Sequence, residues 1–260
     1  MSSRREALAI LTAGAAALAG CSSPSRHAFT SFRPATAGAG PTPSVVPRPP
    51  SRALTAGTGP QGSVNTTGTS DVALTFDDGP DPGNTPKILD LLAQYEIKAS
   101  FSLVGWRARD HPDLVRRIAA AGHTLCNHSW QHLMDLGQRP LSYVKWDLAS
   151  TIEAIHTGAP DTPVRYFRAP GGNFTPALVQ LARQYGMTPL SWNVDPRDWD
   201  SAHYGFGGSM VRHIVETVEA HVRPGVIVLS HDCKHPDTIA AYATLLPRLK
   251  QRYNLIPLPT

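Results

Sequence analysis

From residue 71 onward the chain alternates short apolar runs with longer stretches whose apolar residues recur at helical spacing. No other feature constrains the fold as strongly. The apolar runs cover 72–76, 99–104, 123–127, 164–168, 188–193 and 226–229, with a last short one near 255–258, and each predicts a strand. Between them, 86–95, 112–121, 141–156, 176–185, 209–222 and 238–251 predict helices. Pro112 and Pro176 fall at first helical positions, and Gly122 and Gly186 where helices stop. Strand and helix alternating at this spacing argue for a parallel α/β sheet. Six or seven such units fill a barrel-like sheet without an eighth strand. Its loops then gather at the carboxyl ends of the strands, on one face.

The 70 residues before this domain read differently. They hold six Arg, no Lys and one acid, Glu6, which leaves 18 basic and 19 acidic residues for the rest. The basic excess belongs to the N-terminal arm, so a basic face that tracks phosphate backbones is excluded and no nucleic-acid partner is expected. The arm opens Ser3-Arg4-Arg5, runs apolar from Ala7 to Ala19 and ends Leu18-Ala19-Gly20-Cys21. A positive start, a short apolar middle and small residues before a break mark an export signal over 1–21, too short for an ordinary membrane span. The last four residues resemble a bacterial lipobox, which would leave Cys21 lipidated and the protein anchored on the outer face of a cell membrane. A plain secretory signal and a secreted protein are the alternative. The adjacent arginines partly match a twin-arginine signal. Residues 22–70 are 30 of 49 Pro, Gly, Ser or Thr with no apolar periodicity, and predict a disordered tether. The domain proper is then 71–260.

Polar residues collect after the strands. Asp77-Asp78-Gly79-Pro80 follows the first; two adjacent carboxylates are costly unless a cation or proton separates their charges, although Asp-Gly-Pro alone is an ordinary turn. His128-Ser129-Trp130-Gln131-His132 follows the third, and histidines at i and i+4 on a helical turn can reach one metal ion. Arg168-Ala169-Pro170-Gly171-Gly172, Asp195-Pro196-Arg197-Asp198-Trp199 and Leu229-Ser230-His231-Asp232 follow the fourth, fifth and sixth. Singly, each has a bland reading as surface ion pair, core aromatic or loop histidine. Five such clusters at five strand ends together point to a catalytic face.

These five ordered motifs resemble those of the polysaccharide deacetylases, the NodB-homology group or carbohydrate esterase family 4. The resemblance spans 72 to about 232. It implies a distorted (β/α) barrel with about seven strands and a metal-dependent hydrolase that removes acetyl groups from glycans. Carried over residue by residue, it makes Asp78, His128 and His132 the metal ligands, Asp77 the general base and His231 the general acid. Arg168 would hold Asp77, and Asp198 would pair with His231. The backbone N–H of Gly171 would receive the oxyanion, and Trp199 and Leu229 would line the acetyl-methyl pocket. Gly171 departs from the many relatives with an aromatic residue at that place beside the sugar.

The chemistry agrees with that assignment. Amide hydrolysis needs a strong nucleophile, a polarised carbonyl and a proton for the departing nitrogen, which a Lewis-acidic ion, a carboxylate base and a histidine acid supply. Two imidazoles and a carboxylate suit zinc, with cobalt, nickel or manganese able to use the same ligands. The expected partners are the glycan substrate and, through lipid alone, a membrane; a monomer is expected. Peptidoglycan and chitin oligosaccharides are the expected N-acetylated substrates, with acetylxylan as the O-acetyl alternative. A glycosidase using Asp77 and Asp78 would need carboxylates that straddle a glycosidic bond, which neighbours on one turn rarely do. A catalytically silent glycan-binding lipoprotein would be expected to lack Asp77 or His231, and both are present. Cys126 and Cys233, two residues from His128 and His231, are expected to bridge in an oxidising environment, with two buried thiols as the alternative.

Overall fold

The structure is a computed structural model that describes Leu54 and residues 57–260. The export signal, Cys21 and the tether as far as residue 53 lie outside the described residues. Seven strands form one parallel sheet: β1 (Val72–Asp77), β2 (Ser100–Leu103), β3 (Thr124–Asn127), β4 (Tyr166–Phe167), β5 (Thr188–Pro189), β6 (Ile227–His231) and β7 (Leu255–Ile256). Their order is β5-β4-β3-β2-β1-β6, with β7 added to β1 at Val72 and Ala73. Around them run α1 (Thr85–Gln94), α2 (Gly105–Asp110), α3 (Pro112–Ala120), α4 (Leu141–Gly158), α5 (Pro176–Gln184), α6 (Ser201–Tyr204), α7 (Gly208–His221) and α8 (Pro236–Arg252). None of the described helices is long and apolar enough to cross a membrane.

Every residue of β1 is buried, as befits a central strand covered on both faces. Its side chains still alternate. Val72, Leu74 and Phe76 pack outward against Ile88, Leu92, Tyr242 and Leu245 of the helices. Ala73 turns inward to a small cluster with Cys126, Tyr166, Leu190 and Ile227. Counting by twos from these inner residues along β1, β3, β4 and β6 arrives at Asp77, His128, Arg168 and His231. The pleat alone therefore aims four of the expected site residues into the mouth of the barrel.

The sheet curls and closes through segments too short to count as strands. Beyond β5, Val194 bridges to Val228 of β6, with Leu229 N donating to Val194 O at 2.9 Å. Val64 bridges to Leu190 and Thr66 to Val226, so residues expected to be tether occupy the seam where an eighth strand would stand. The domain thus starts earlier than residue 71. Composition misled because two apolar residues in a polar stretch, Val64 and Leu54, pack into the inner cluster.

The expected Cys126–Cys233 disulfide is not formed, and both residues are buried. Strand order explains why. β3 and β6 are separated by β2 and β1, three spacings of about 4.8 Å along the wall, whereas a disulfide needs Cα atoms within about 7 Å. Cys126 instead packs in the inner cluster, where burial pushes its thiol up to about 12.

Candidate active site

Asp77 and Arg168 form the buried base of the site. Arg168 is fully buried, and its Nη1 donates to Asp77 Oδ1 at 2.6 Å and to Thr75 Oγ1 at 2.8 Å. One carboxylate oxygen of Asp77 is thereby committed. The other, Oδ2, faces the ring of His128 at 3.6 Å. The backbone of Arg168 serves too: His128 Nδ1 lies 2.8 Å from its carbonyl oxygen. An Nδ1–H donated there leaves the Nε2 lone pair to face the cleft, the arrangement that orients metal-binding imidazoles.

Asp78 Oδ1 lies 3.3 Å from His128 Nε2 and 3.4 Å from His132 Nε2. It is buried and makes no hydrogen bond. Ligand atoms about 2.1 Å from one ion at tetrahedral angles lie about 3.4 Å apart, so an orphaned oxygen between two imidazoles has the spacing of a metal site rather than of a hydrogen-bonded network. Within the described residues this is the one group of three such ligands. Burial works against charge on Asp78, yet the adjoining ring of His128 and the charges of His132 and His231 hold its carboxyl far below the ordinary range. Burial also lowers the affinity of His132 for a proton, as suits a ligand that must be neutral. The pair is not on a helical turn, as its spacing predicted. Residues 128–132 form a loop in which Ser129 (φ 65°) and His132 (φ 56°) are left-handed, and the loop folds His132 back toward Asp78.

His231 stands at the end of β6, in register with Asp77 of β1. Its Nδ1 lies 2.7 Å from Asp198 Oδ1, and its backbone N–H donates to Asp198 Oδ2 at 2.8 Å. Thr238 Oγ1 donates to the same Oδ2 at 2.7 Å. Burial opposes charge on the imidazole, but Asp198, with Asp78 and Asp77 behind it, outweighs burial and raises His231 to about 10.

These groups open into one cleft of about 920 Å³, whose wall also includes Gly171, Trp199 and Leu229. Leu229 is buried and Trp199 half-exposed. Nine of the ten residues expected at the site therefore line one cleft, and the tenth, Arg168, lies buried behind Asp77. Several partners were given no role from the sequence: Thr75 behind Arg168, Thr238 behind Asp198, and Asp232. Asp232 is fully buried, accepts a hydrogen bond from Thr85 Oγ1, and is raised to about 7 by burial over the opposing effect of that bond. A Cβ on Gly79 would stand 2.6 Å from Asp232 Oδ1, so glycine is what lets the Asp77–Pro80 turn close against the His231 loop. Its place directly after His231 was the available signal.

Comparison with known proteins agrees with this geometry. A sequence model described as polysaccharide deacetylase matches residues 64–190, starting at the seam residue Val64. The chain is 37% identical over 204 residues to a chitooligosaccharide deacetylase of Sinorhizobium fredii, covering 73% of this chain and 90% of the relative. It is 36% identical over 185 residues to a peptidoglycan-N-acetylglucosamine deacetylase of Bacillus cereus, covering 70% and 82%. A crystal structure of a peptidoglycan N-acetylglucosamine deacetylase superposes with a TM-score of 0.68 at 30% identity over 75% of this chain and 89% of that one. With an Asp–His–His group at the mouth of a curled parallel sheet and relatives this similar along most of their length, the chain belongs to the polysaccharide deacetylase family.

Proposed function

We propose that the protein is a metal-dependent N-deacetylase of N-acetylglucosamine-containing glycans, with chitin oligosaccharides and peptidoglycan as its substrate class. The observation that carries this reading is the orphaned Asp78 Oδ1 between His128 and His132, with the free oxygen of Asp77 and the ring of His231 aimed at the same cleft. Relatives named for those two glycans support N-acetyl over O-acetyl substrates. Zinc fits the two imidazoles and one carboxylate best. The signal-like first 21 residues and the lipobox-like Cys21 support an exported enzyme, lipid-anchored on the outer face of a cell membrane or secreted, where wall glycans are within reach.

When bound by Asp78, His128 and His132, a divalent cation supplies a Lewis acid that activates water and polarises a carbonyl. The remaining steps belong to the chain. Arg168 occupies Asp77 Oδ1, so Oδ2 takes the proton from the attacking water. The N–H of Gly171 receives the charge that develops on the acetyl oxygen, while Leu229 and Trp199 enclose the methyl group. His231, held through Nδ1 by Asp198, carries its mobile proton on Nε2 and delivers it to the departing amine. Acetate and a free amino sugar leave.

Acetate release from chitotetraose, peptidoglycan and acetylxylan, with and without a chelator, tests the reading. Chelator-sensitive release from the first two is expected. Release from acetylxylan alone, or release that survives chelation, would overturn it. The role of Asp198 has its own test. Its carboxylate favours the imidazolium, so Asp198→Asn should move the basic limb of the kcat/KM profile to lower pH. A basic limb that does not move would show that Asp198 leaves the acid untuned.

A further inference from the structure

Five large apolar side chains stay exposed among the described residues, and three of them, Met134, Trp199 and Phe206, line the catalytic cleft. Trp199 is assigned to the acetyl methyl group. The other two have no part in the chemistry above, although Phe206 is the most exposed of the five at 77%. Single exposed apolar side chains are ordinary, but three gathered at one cleft mark a surface that binds something.

Phe206 is held out deliberately by its backbone. It sits between Gly205 (φ 76°, ψ −156°) and Gly207 (φ 63°, ψ −136°), conformations that only glycine adopts without strain. Two bonds fix the loop: Gly207 N–H donates to Asp237 Oδ2 at 2.8 Å, and Ser209 Oγ donates to Phe206 O at 3.0 Å. The ring is therefore presented by an ordered loop between α6 and α7.

Met134 answers the departure at Gly171. Gly171 has φ 59°, and a Cβ built there would collide with the Met134 methyl group. The thioether thus fills the space that a side chain at 171 would need. Asn173 Nδ2 donates to Met134 O at 3.0 Å and ties that residue to the Gly171 loop. In strand order the loop after β4 carries Gly171, the loop after β3 carries Met134, and the connection beyond β5 carries Phe206. The two apolar groups therefore flank the proposed oxyanion donor around the barrel mouth.

We infer that Phe206 and Met134 form a sugar clamp, the apolar faces on which pyranose rings of the glycan chain rest, replacing a side chain at position 171. The inference rests on the proposed glycan substrate. The C–H face of a pyranose suits both an aromatic ring and a thioether. A cleft of about 920 Å³ has room for a stretch of chain beyond the acetylated residue.

The test is calorimetric titration of chitotetraose and chitobiose into metal-loaded Asp77→Asn protein, in which turnover is blocked, with and without Phe206→Ala or Met134→Ala. Covering about 50 Å² of ring is worth about tenfold in affinity. Each alanine should thus weaken tetramer binding by about that factor and weaken the dimer less, with Phe206→Tyr and Met134→Leu restoring it. Both residues are exposed, so unchanged melting temperatures should accompany the loss. Equal tetramer affinities with and without the alanines would overturn the clamp, and so would the absence of tetramer binding or failed rescue. Wild-type protein that releases no acetate while Phe206 still controls binding would remove the deacetylase reading and leave the clamp standing.

Discussion

Asp77→Asn should keep its metal and lose nearly all turnover, while His128→Ala should lose both. The two residues lie within 3.6 Å of each other, so a contrast between them separates roles rather than regions. Asn retains an oxygen that can still accept from Arg168, but it cannot take a proton from water, and removing a general base costs about 10²–10⁴-fold in rate. Removing the His128 ring takes one of three protein ligands and leaves Asp78 Oδ1 with one imidazole neighbour. Metal content by atomic emission, measured beside acetate release, reads both. Metal-free Asp77→Asn protein would exchange the assignments of the two aspartates.

Arg168→Met should be the most damaging single change to stability. The guanidinium is fully buried and its Nη1 satisfies both Asp77 and Thr75. Methionine fills much of the volume but strands a buried carboxylate, and breaking a buried pair by removing one partner costs about 3–5 kcal/mol. Most of that cost is the abandoned charge, so Arg168→Met with Asp77→Asn should be more stable than Arg168→Met alone. Urea midpoints of the wild type, both single variants and the double variant form the cycle. A single-variant loss below about 1 kcal/mol, or a double variant less stable than Arg168→Met, would contradict the assignment of Arg168 as the partner that makes Asp77 tolerable.

The sequence makes the barrel legible because its strands are buried on both faces and read as apolar runs, and because polar clusters at their ends recur in order. It makes the inward residues legible too, since a period of two is all that aims Asp77 and His231. It misleads where a contact depends on strand order. β1 pairs with β6, 154 residues away (Ala73 with Ile227), so the distance between the walls bearing Cys126 and Cys233 cannot be counted along the chain. It misleads also where a loop is left-handed: the i, i+4 spacing of His128 and His132 suggests a helical turn, yet positive φ at Ser129 and His132 brings the rings together another way. Short helices such as α2 and α6 lack the length for a periodic signal. Residues 57–70 join the barrel through the packing of Val64 and through backbone bonds to Pro189, Ser191 and Gly225, which composition does not register.

Arg168 touches the site twice, its side chain meeting the base and its carbonyl meeting a metal ligand. Anything that moves the end of β4 therefore acts on Asp77 and His128 at once, because one residue bonds to both.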